Sequence, residues 1–281
     1  MRWPTCAIAL LVCLTLVACE REPIAPEEGV RIATTSPAVG VMLRDFNAES
    51  LVVGRSGYDV ALDSELPVVG DMAGFDLERL SMLGVTHVFV ETGAAKAPQG
   101  LIEVSTSAGF ELIPFELTSL EHLTELATLV HGTVSPHVDA GPAPAGLFDS
   151  ALRRDPSLFE AGTVLLLLVG SAPAALGPGS VHHEVLVEMG GAAAIAAGRP
   201  YMPLDAEDLL ELSPEAIVLF APEKDEPWQE LLGATAELPL PAIESGRVLV
   251  LRDSDVLMAS TSTLRYADAL RAQLQRWAQD R

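Results

Sequence analysis

The chain has 281 residues, and its 39 acidic against 17 basic side chains give a formal net charge of −22. Contacts with nucleic-acid phosphates need clustered Lys and Arg, so this balance argues against a nucleic-acid partner. The three cysteines, Cys6, Cys13 and Cys19, all precede residue 20. The rest of the chain therefore has no thiol for a disulfide, an iron–sulfur cluster, a thiolate zinc site or a cysteine nucleophile.

The N-terminal segment has the pattern of an export signal. Its apolar run from Ala7 to Ala18 is too short to span a bilayer but has the length of a signal-peptide core. The run ends in LVAC, which resembles the bacterial lipobox and implies that residues 1–18 are removed and that Cys19 is lipidated. The polar segment 19–29 then predicts a tether to the cell membrane, or to the outer membrane facing the periplasm. An ordinary signal peptide with a chance cysteine is the alternative.

Short apolar runs alternate with helical leucine patterns from Val30 onwards. Strands are predicted at residues 30–34, 51–54, 87–91, 111–115, 163–169, 216–220 and 248–251. Leucines at helical spacing separate several of them, at Leu77, Leu80 and Leu83 and at Leu120, Leu123, Leu126 and Leu129, and a last helix is predicted over 264–277. This order predicts an α/β protein with two blocks, each built on a mostly parallel sheet flanked by helices.

A proline-rich stretch separates the two blocks. Residues 131–146 contain Pro136, Pro142 and Pro144, which cannot continue a helix. We therefore predict an N-terminal lobe over residues 30–118, an interlobe linker over 119–160 and a C-terminal lobe over 161–281.

An internal repeat supports two similar lobes. Asp76, Glu78, Leu80, Leu83, Val88 and Val90 recur at one constant offset as Asp205, Glu207, Leu209, Leu212, Ile217 and Leu219. In both copies the Asp is placed to cap a helix and the Glu falls in its first turn. Any amphipathic helix that leads into a buried strand looks similar, but six matching positions favour duplication. A cleft between two lobes is a preferred location for a ligand.

Several short segments occur in a characteristic order. In the first half these are RIATTSPA (31–38), PVVGD (67–71), DLERL (76–80) and THVFV (86–90); in the second half they are GPGS (177–180), EVLVEMGG (184–191), LDAEDLL (204–210) and SPEAIVL (213–219). Their order and spacing resemble the class III, helical-backbone substrate-binding proteins of ABC transporters, which serve importers of vitamin B12, haem and iron siderophores.

That resemblance implies two Rossmann-like lobes joined by one long linker helix, with limited hinge motion and a ligand held between the lobes. The proline-rich stretch departs from the family pattern, because only residues 145–154 remain to form the linker helix, which is therefore expected to be shortened or broken. The resemblance also implies that Glu78 and Glu207 pair with arginines of the transporter's permease subunits, although each Glu complements its own helix dipole as well.

The positions that match the family's ligand contacts in the first lobe are Tyr58 and Met72, and Arg55, in the same loop as Tyr58, is the candidate cation near the cleft. A tyrosine ring can stack on a macrocycle or ligate haem iron through its oxygen, and the thioether of Met72 can pack against the ligand or supply a sulfur ligand.

In the second lobe, His182 and His183 follow the GPGS turn at a helix start that is expected to face the cleft, and Tyr201 and Met258 are carried over from the family by position. The adjacent histidines can ligate haem iron or a metal, or they can simply cap the start of a helix. Neighbours on a helix point about 100° apart, so we expect only one of them to face the ligand.

The sequence thus predicts a non-enzymatic, monomeric solute-binding protein without a resident cofactor, attached to its membrane through lipid and delivering a metal chelate to a permease. Cobalamin, another corrinoid or haem is favoured over a ferric siderophore, whose carboxylates need guanidinium partners. The family's arginine near the last helix is missing from ASTS (259–262), and Arg55 is the main cation expected near the cleft. One alternative is a surface lipoprotein that has lost its ligand and binds only other proteins. Another is a metallohydrolase built on His182 and His183, although G-x-G-x-x-G, G-x-S-x-G and H-E-x-x-H motifs are all absent from the sequence.

Overall fold

The computed structural model describes residues 29–93, 96–169, 173–221 and 225–280. The predicted signal peptide, the predicted lipidation site Cys19 and the predicted tether up to residue 28 lie outside the described residues. Within the described ranges, no helix is both long and apolar enough to cross a bilayer.

The first sheet is formed by the N-terminal half of the described chain. Its strands are β1 (Ile32–Thr34), β2 (Val52–Ser56), β3 (Val68–Asp71), β4 (Gly74–Phe75), β5 (His87–Glu91) and β6 (Glu111–Phe115), and its helices are α1 (Pro37–Asp45), α2 (Leu77–Met82), α3 (Gln99–Ala108) and α4 (Leu120–Val134). The strand order is β4-β3-β2-β1-β5-β6. All neighbours are parallel except the β3–β4 hairpin.

The second sheet is formed by the C-terminal half. Its strands are β7 (Thr163–Leu168), β8 (Ala174–Leu176), β9 (Ala192–Ala193), β10 (Tyr201–Pro203), β11 (Ala216–Ala221) and β12 (Val248–Arg252), and the helices are α5 (Pro144–Ala151), α6 (Val181–Glu188), α7 (Ala206–Leu212), α8 (Trp228–Leu232), α9 (Pro241–Glu244) and α10 (Ser262–Gln279). The strand order is β10-β8-β7-β11-β12, with β9 paired to β7. Short 3₁₀ helices occur at Glu49–Leu51, Pro156–Ala161 and Gly233–Glu237.

The two sheets confirm the predicted two-lobed α/β class, and they are mixed rather than purely parallel. The parallel trio β7, β11 and β12 corresponds to β1, β5 and β6. The lobes differ at the next strand. β2 is reached from β1 through helix α1 and is parallel to it, whereas β8 follows β7 after a short connection and is antiparallel to it.

The repeated helices begin as the sequence predicts. The Asp76 carboxylate accepts a hydrogen bond of 2.9 Å from the N–H of Arg79 at the start of α2. The Asp205 carboxylate accepts one of 2.9 Å from the N–H of Asp208 at the start of α7, and the Asp208 carboxylate in turn accepts one of 3.0 Å from the N–H of Asp205. Both helices are therefore fixed at their N-termini by the residue of the repeat that was expected to cap them.

One continuous apolar layer lies between the two sheets. Its members include Met42 of α1, Leu126 of α4, Val185 of α6 and Leu270 of α10, all of them buried. Side chains alternate along the strands, so that Phe89 of β5 joins this inner layer while its neighbours pack into a separate cluster on the outer face. The second lobe repeats this arrangement along β11. The two lobes thus share their inner core.

The connection between the lobes differs from the expectation of a helix limited to residues 145–154. Helix α4 has 15 residues and contacts both α1 of the first lobe and α6 of the second. It ends at Val134, two residues before Pro136, and α5 follows as a separate short helix. The expected break is correct at the prolines, but the helix that contacts both lobes lies upstream of them, in the leucine pattern at the start of the predicted linker.

Candidate functional site

Two exposed side chains of the first lobe lie just beyond the carboxyl ends of two adjacent strands of its sheet. Ser56 of β2 pairs with Gly70 of β3, and the N–H of Gly57 donates to the carbonyl oxygen of Gly70 over 3.1 Å. Tyr58 and Met72 each lie two residues beyond that pair, and each side chain is 72% exposed. The register of the sheet therefore brings these two predicted ligand contacts to the same edge.

Arg55 braces the loop that carries Tyr58. Its Nη1 donates to the carbonyl oxygen of Ser56 over 3.1 Å, and its Nη2 donates to that of Ser64 over 2.9 Å. The half-buried guanidinium thus ties the two ends of this loop together. If Arg55 contacts a ligand, as predicted, it does so with a guanidinium that also holds this loop together.

Asp59 orders the same loop and packs it against helix α1. Its Oδ1 accepts hydrogen bonds from the N–H groups of Ala61 and Leu62, at 2.9 and 2.8 Å. Burial raises the pKa of Asp59, and these two hydrogen bonds oppose that rise. The other carboxylate oxygen lies so close to Gly40 that a Cβ atom there would be 1.7 Å from it. A glycine in the middle of α1 therefore lets the loop approach the helix.

The switch point of the first sheet lies between β1 and β5, where the strand order reverses. Ligands of open α/β sheets commonly bind beyond the carboxyl ends of the strands at such a point. Here the Ser36 hydroxyl donates to Glu91 Oε2 over 2.8 Å. This pair is not among the ligand contacts predicted from the sequence, although a Glu at the end of an apolar strand could have indicated it. In the second lobe, residues 170–172 and 222–224, which follow β7 and β11, lie outside the described residues.

His182 lies in the core of the second lobe. Its side chain is 6% exposed and its ring stacks on Tyr266, with a centroid distance of 5.2 Å, while Phe220 lies edge-on at 4.8 Å. Its Nε2 is 2.8 Å from the carbonyl oxygen of Val256. Burial lowers the pKa of His182, with the bond to Val256 acting in the opposite direction, so the neutral ring donates from Nε2. The structure does not bring this predicted ligand contact to the surface.

His183 points elsewhere, as expected for a neighbour on a helix. It lines a groove of about 750 Å³ between α4, α5 and α6, and its Nε2 is 3.0 Å from the carbonyl oxygen of Ile195. The carboxylates that line the same groove belong to Glu121, Asp149, Glu184 and Glu188. Glu184 also connects the lobes, because its Oε2 accepts a bond of 2.6 Å from the N–H of Leu120 at the start of α4. Tyr58 and Met72 do not line this groove.

Tyr201 and Met258 lie at opposite borders of the second sheet. Tyr201 is 53% exposed and begins the edge strand β10, where it pairs with Leu176 of β8. Met258 is half-buried in the loop that follows the other edge strand, β12, and its carbonyl oxygen accepts a bond of 3.1 Å from Ser262 Oγ. Four strand spacings, about 19 Å, separate these edges. The structure does not bring this pair together.

Glu78 and Glu207 occupy equivalent, exposed positions in the first turns of α2 and α7. Their surroundings differ in charge. Glu78 is followed by Arg79, whose Nε lies 3.4 Å from Asp76, whereas Glu207 is followed by the acidic Asp208. Both carboxylates are accessible to a partner, and the second is in the more negative environment.

Clustered metal ligands do not accompany the histidines. Among the described residues, no group of three or more His, Cys, Asp and Glu side chains is arranged to hold a metal ion. The metallohydrolase alternative therefore gains no support from this part of the chain.

Comparison with known proteins gives structural matches only. No family model and no curated protein sequence matches the chain. The periplasmic haem-binding protein from Pseudomonas aeruginosa superposes with a TM-score of 0.65 at 22% identity, covering 88% of this chain and 92% of that one. The haem-binding protein RhuT from Roseiflexus sp. RS-1, in its apo form, gives 0.63 at 19%, covering 89% and 99%. The vitamin B12-binding protein BtuF of Vibrio cholerae gives 0.62 at 16%, covering 89% and 98%.

These likenesses extend over nearly the whole of each solved chain. The protein therefore has the two-lobed α/β fold of the class III periplasmic binding proteins, as the sequence resemblance predicts. Identities this low establish the fold, and the choice of ligand depends on the residues of this chain.

Proposed function

We propose that this protein is the lipid-anchored, extracytoplasmic substrate-binding component of an ABC importer, and that it captures a metal-chelate ligand without transforming it. The observation that carries the proposal is the exposure of Tyr58 and Met72 together at the carboxyl edge of the first sheet, on a fold shared with haem- and B12-binding proteins. A corrinoid or haem is the favoured ligand class, and a ferric siderophore is less favoured.

The exposed apolar surface supports binding of a large, flat ligand. Val60 is 57% exposed in the same loop as Tyr58, so three large side chains of this edge are open to solvent. Neighbouring exposed apolar groups on a soluble protein often mark an interaction site. A macrocycle that stacks on the tyrosine ring would remove this surface from water. Tyr201 and Leu257 offer apolar surface on the second lobe.

The exposed carboxylates support delivery to a permease. Glu78 and Glu207, one on each lobe, are the pair expected to meet arginines of the two permease subunits, contributing steering and register more than affinity. The lipid on Cys19 would keep the protein at the membrane. The division into lobes at residues 30–118 and 161–281, with a linker between them, belongs to the same proposal.

The test is a titration of the purified protein with haemin, cyanocobalamin and a ferric hydroxamate siderophore, followed by absorbance and tryptophan fluorescence. We expect one of the first two to bind with a dissociation constant below about 10 μM, equivalent to about 7 kcal/mol. Failure of all three would overturn ligand capture and favour a lipoprotein that binds only other proteins. Turnover of a hydrolysable ester by the protein would favour an enzyme instead.

A further inference from the structure

A network of five charged side chains joins the two lobes on one side of the apolar layer. Asp45, at the end of α1, accepts from Arg265 Nη1 over 3.0 Å and from the Thr261 hydroxyl over 2.6 Å, both at the start of α10. Arg44 Nη2 lies 2.6 Å from Asp255 Oδ2. The network thus links the last turn of α1 in the first lobe with the loop and helix that follow β12 in the second.

Arg265 is the centre of this network. Besides Asp45, it contacts Asp255 Oδ2 through Nη2 at 3.1 Å and Asp253 Oδ2 through Nε at 3.4 Å. The Asp255 side chain is only 3% exposed, so its charge is removed from water and compensated by Arg44 and Arg265 together. Removing one partner of a buried carboxylate leaves an uncompensated charge and strongly destabilises the folded protein, whereas the loss of an exposed ion pair costs little.

The network adds directional contacts to an interface that is mainly apolar, as the hydrogen bond between Glu184 and Leu120 does at the start of α4. The shared apolar layer holds the lobes together, but burial of apolar area is non-directional and allows one lobe to slide or rotate against the other. Charge-assisted hydrogen bonds between guanidinium and carboxylate groups fix distances and angles. The contacts that Arg44 and Asp45 make with the second lobe are therefore able to set the orientation of α1 relative to that lobe.

The same network holds the loop that carries Met258. Residues 253–260 are attached to Arg44 and Arg265 through Asp253 and Asp255, and His182 binds the carbonyl oxygen of Val256 in the same loop. We propose that Arg44 and Asp45 are positioning residues, which fix the angle between the lobes and hold this second-lobe loop in place for ligand binding. The part that concerns the ligand rests on the proposed function, whereas the lobe angle does not.

The lobe angle can be measured without any ligand. Residues beyond Cys19 include no cysteine, so the full chain with Cys6, Cys13 and Cys19 changed to Ser accepts two introduced cysteines. Ser107→Cys on α3 and Gln229→Cys on α8 place one exposed spin label on each lobe. Pulsed electron paramagnetic resonance then gives the distance distribution between the labels. We expect Asp45→Ala and Arg44→Met each to shift the distribution or to widen it about twofold, in protein whose circular dichroism is unchanged.

Two control variants separate lobe positioning from a general loss of charge or stability. Arg79→Ala removes an ion pair with Asp76 that lies within one lobe and should leave the distribution unchanged. Arg265→Lys keeps a cation at the centre of the network and should move the distribution less than Arg265→Ala does. Unchanged distributions in folded Asp45→Ala and Arg44→Met would overturn the proposal for the lobe angle.

A second measurement tests the ligand part with haemin and cyanocobalamin. Whichever of the two binds the parent protein should bind Asp45→Ala about tenfold more weakly and Arg79→Ala equally well. An altered label distance with unaltered affinity would overturn the role of the network in ligand binding. If neither compound binds the parent protein, the assignment of a corrinoid or haem ligand fails together with the ligand part of this proposal, and the distance measurement alone decides on the lobe angle.

Discussion

His182 and Val256 are joined by a hydrogen bond of 2.8 Å between the imidazole Nε2 and a carbonyl oxygen, which ties helix α6 to the loop before α10. The ring is enclosed by Phe220 and Tyr266, and burial lowers its pKa below the ordinary value of 6.5. The folded protein therefore holds His182 neutral at a pH where the unfolded chain protonates it.

This arrangement predicts acid sensitivity. Because the unfolded state binds the proton more readily, the free energy of unfolding should fall as the pH decreases below about 6.5, by at most about 1.4 kcal/mol per pH unit from this residue. Above that pH the group contributes no penalty. Urea unfolding at pH 7.5 and 5.5 measures the difference. His182→Gln, which keeps a donor but does not titrate, should show a smaller decrease, and an equal decrease in both proteins would contradict the assignment.

Tyr58 and Met72 should be required for binding but not for stability. Each is 72% exposed, so truncation to Ala should change the free energy of unfolding by less than about 0.5 kcal/mol. If they contact the ligand, each truncation should weaken binding about tenfold, because about 1.4 kcal/mol is lost with a well-packed contact. Absorbance titration of the preferred chelate measures this. Phe159→Ala, which removes another exposed aromatic ring, serves as the control and should bind normally.

Glu78 and Glu207 should affect transport without affecting ligand capture. Both carboxylates are exposed, and an electrostatic contact at the rim of an interface acts mainly on the association rate. Uptake of the preferred chelate by cells that contain the transporter should fall about two- to tenfold for Glu78→Ala and for Glu207→Ala, and further for the double variant. Glu211→Ala changes the same charge at the other end of α7. Equal loss in that control would show a general charge effect instead of docking.

The two helix caps should contribute similar amounts to stability. Asp76 and Asp205 each accept a backbone N–H bond at a helix N-terminus, and replacing such a cap with Ala costs about 1 kcal/mol. Thermal or urea unfolding of Asp76→Ala and Asp205→Ala measures this directly. Asp268→Ala removes an equal charge from an exposed position inside α10 and should change stability by less than about 0.5 kcal/mol.

Locally encoded features of the fold were predictable from the sequence. The strands at His87–Glu91 and Glu111–Phe115 have the predicted bounds, because an apolar run between turn residues is enough to define them. Strands β8, β9 and β10 contain only two or three residues each and were not predicted. Such short strands are stabilised by the partners they pair with, and pairing of this kind leaves no periodic signal.

The site was harder to predict, because long-range packing decides which side chains are free. Sequence spacing correctly indicates that His182 and His183 point in different directions. Which of them is buried depends on Tyr266, 84 positions further along the chain, against which His182 stacks. Tyr58 and Met72 are brought to one edge by the β2–β3 register, which depends on pairing between separate strands.

The inner core common to both lobes limits how far the two lobes can separate. A wide clamshell opening would pull the two sheets apart and expose Met42, Leu126, Val185 and Leu270 to water, which amounts to partial unfolding. Small rotations and loop rearrangements keep those side chains covered. A ligand of the proposed class would therefore leave through local loosening at the rim, with the inner core still closed.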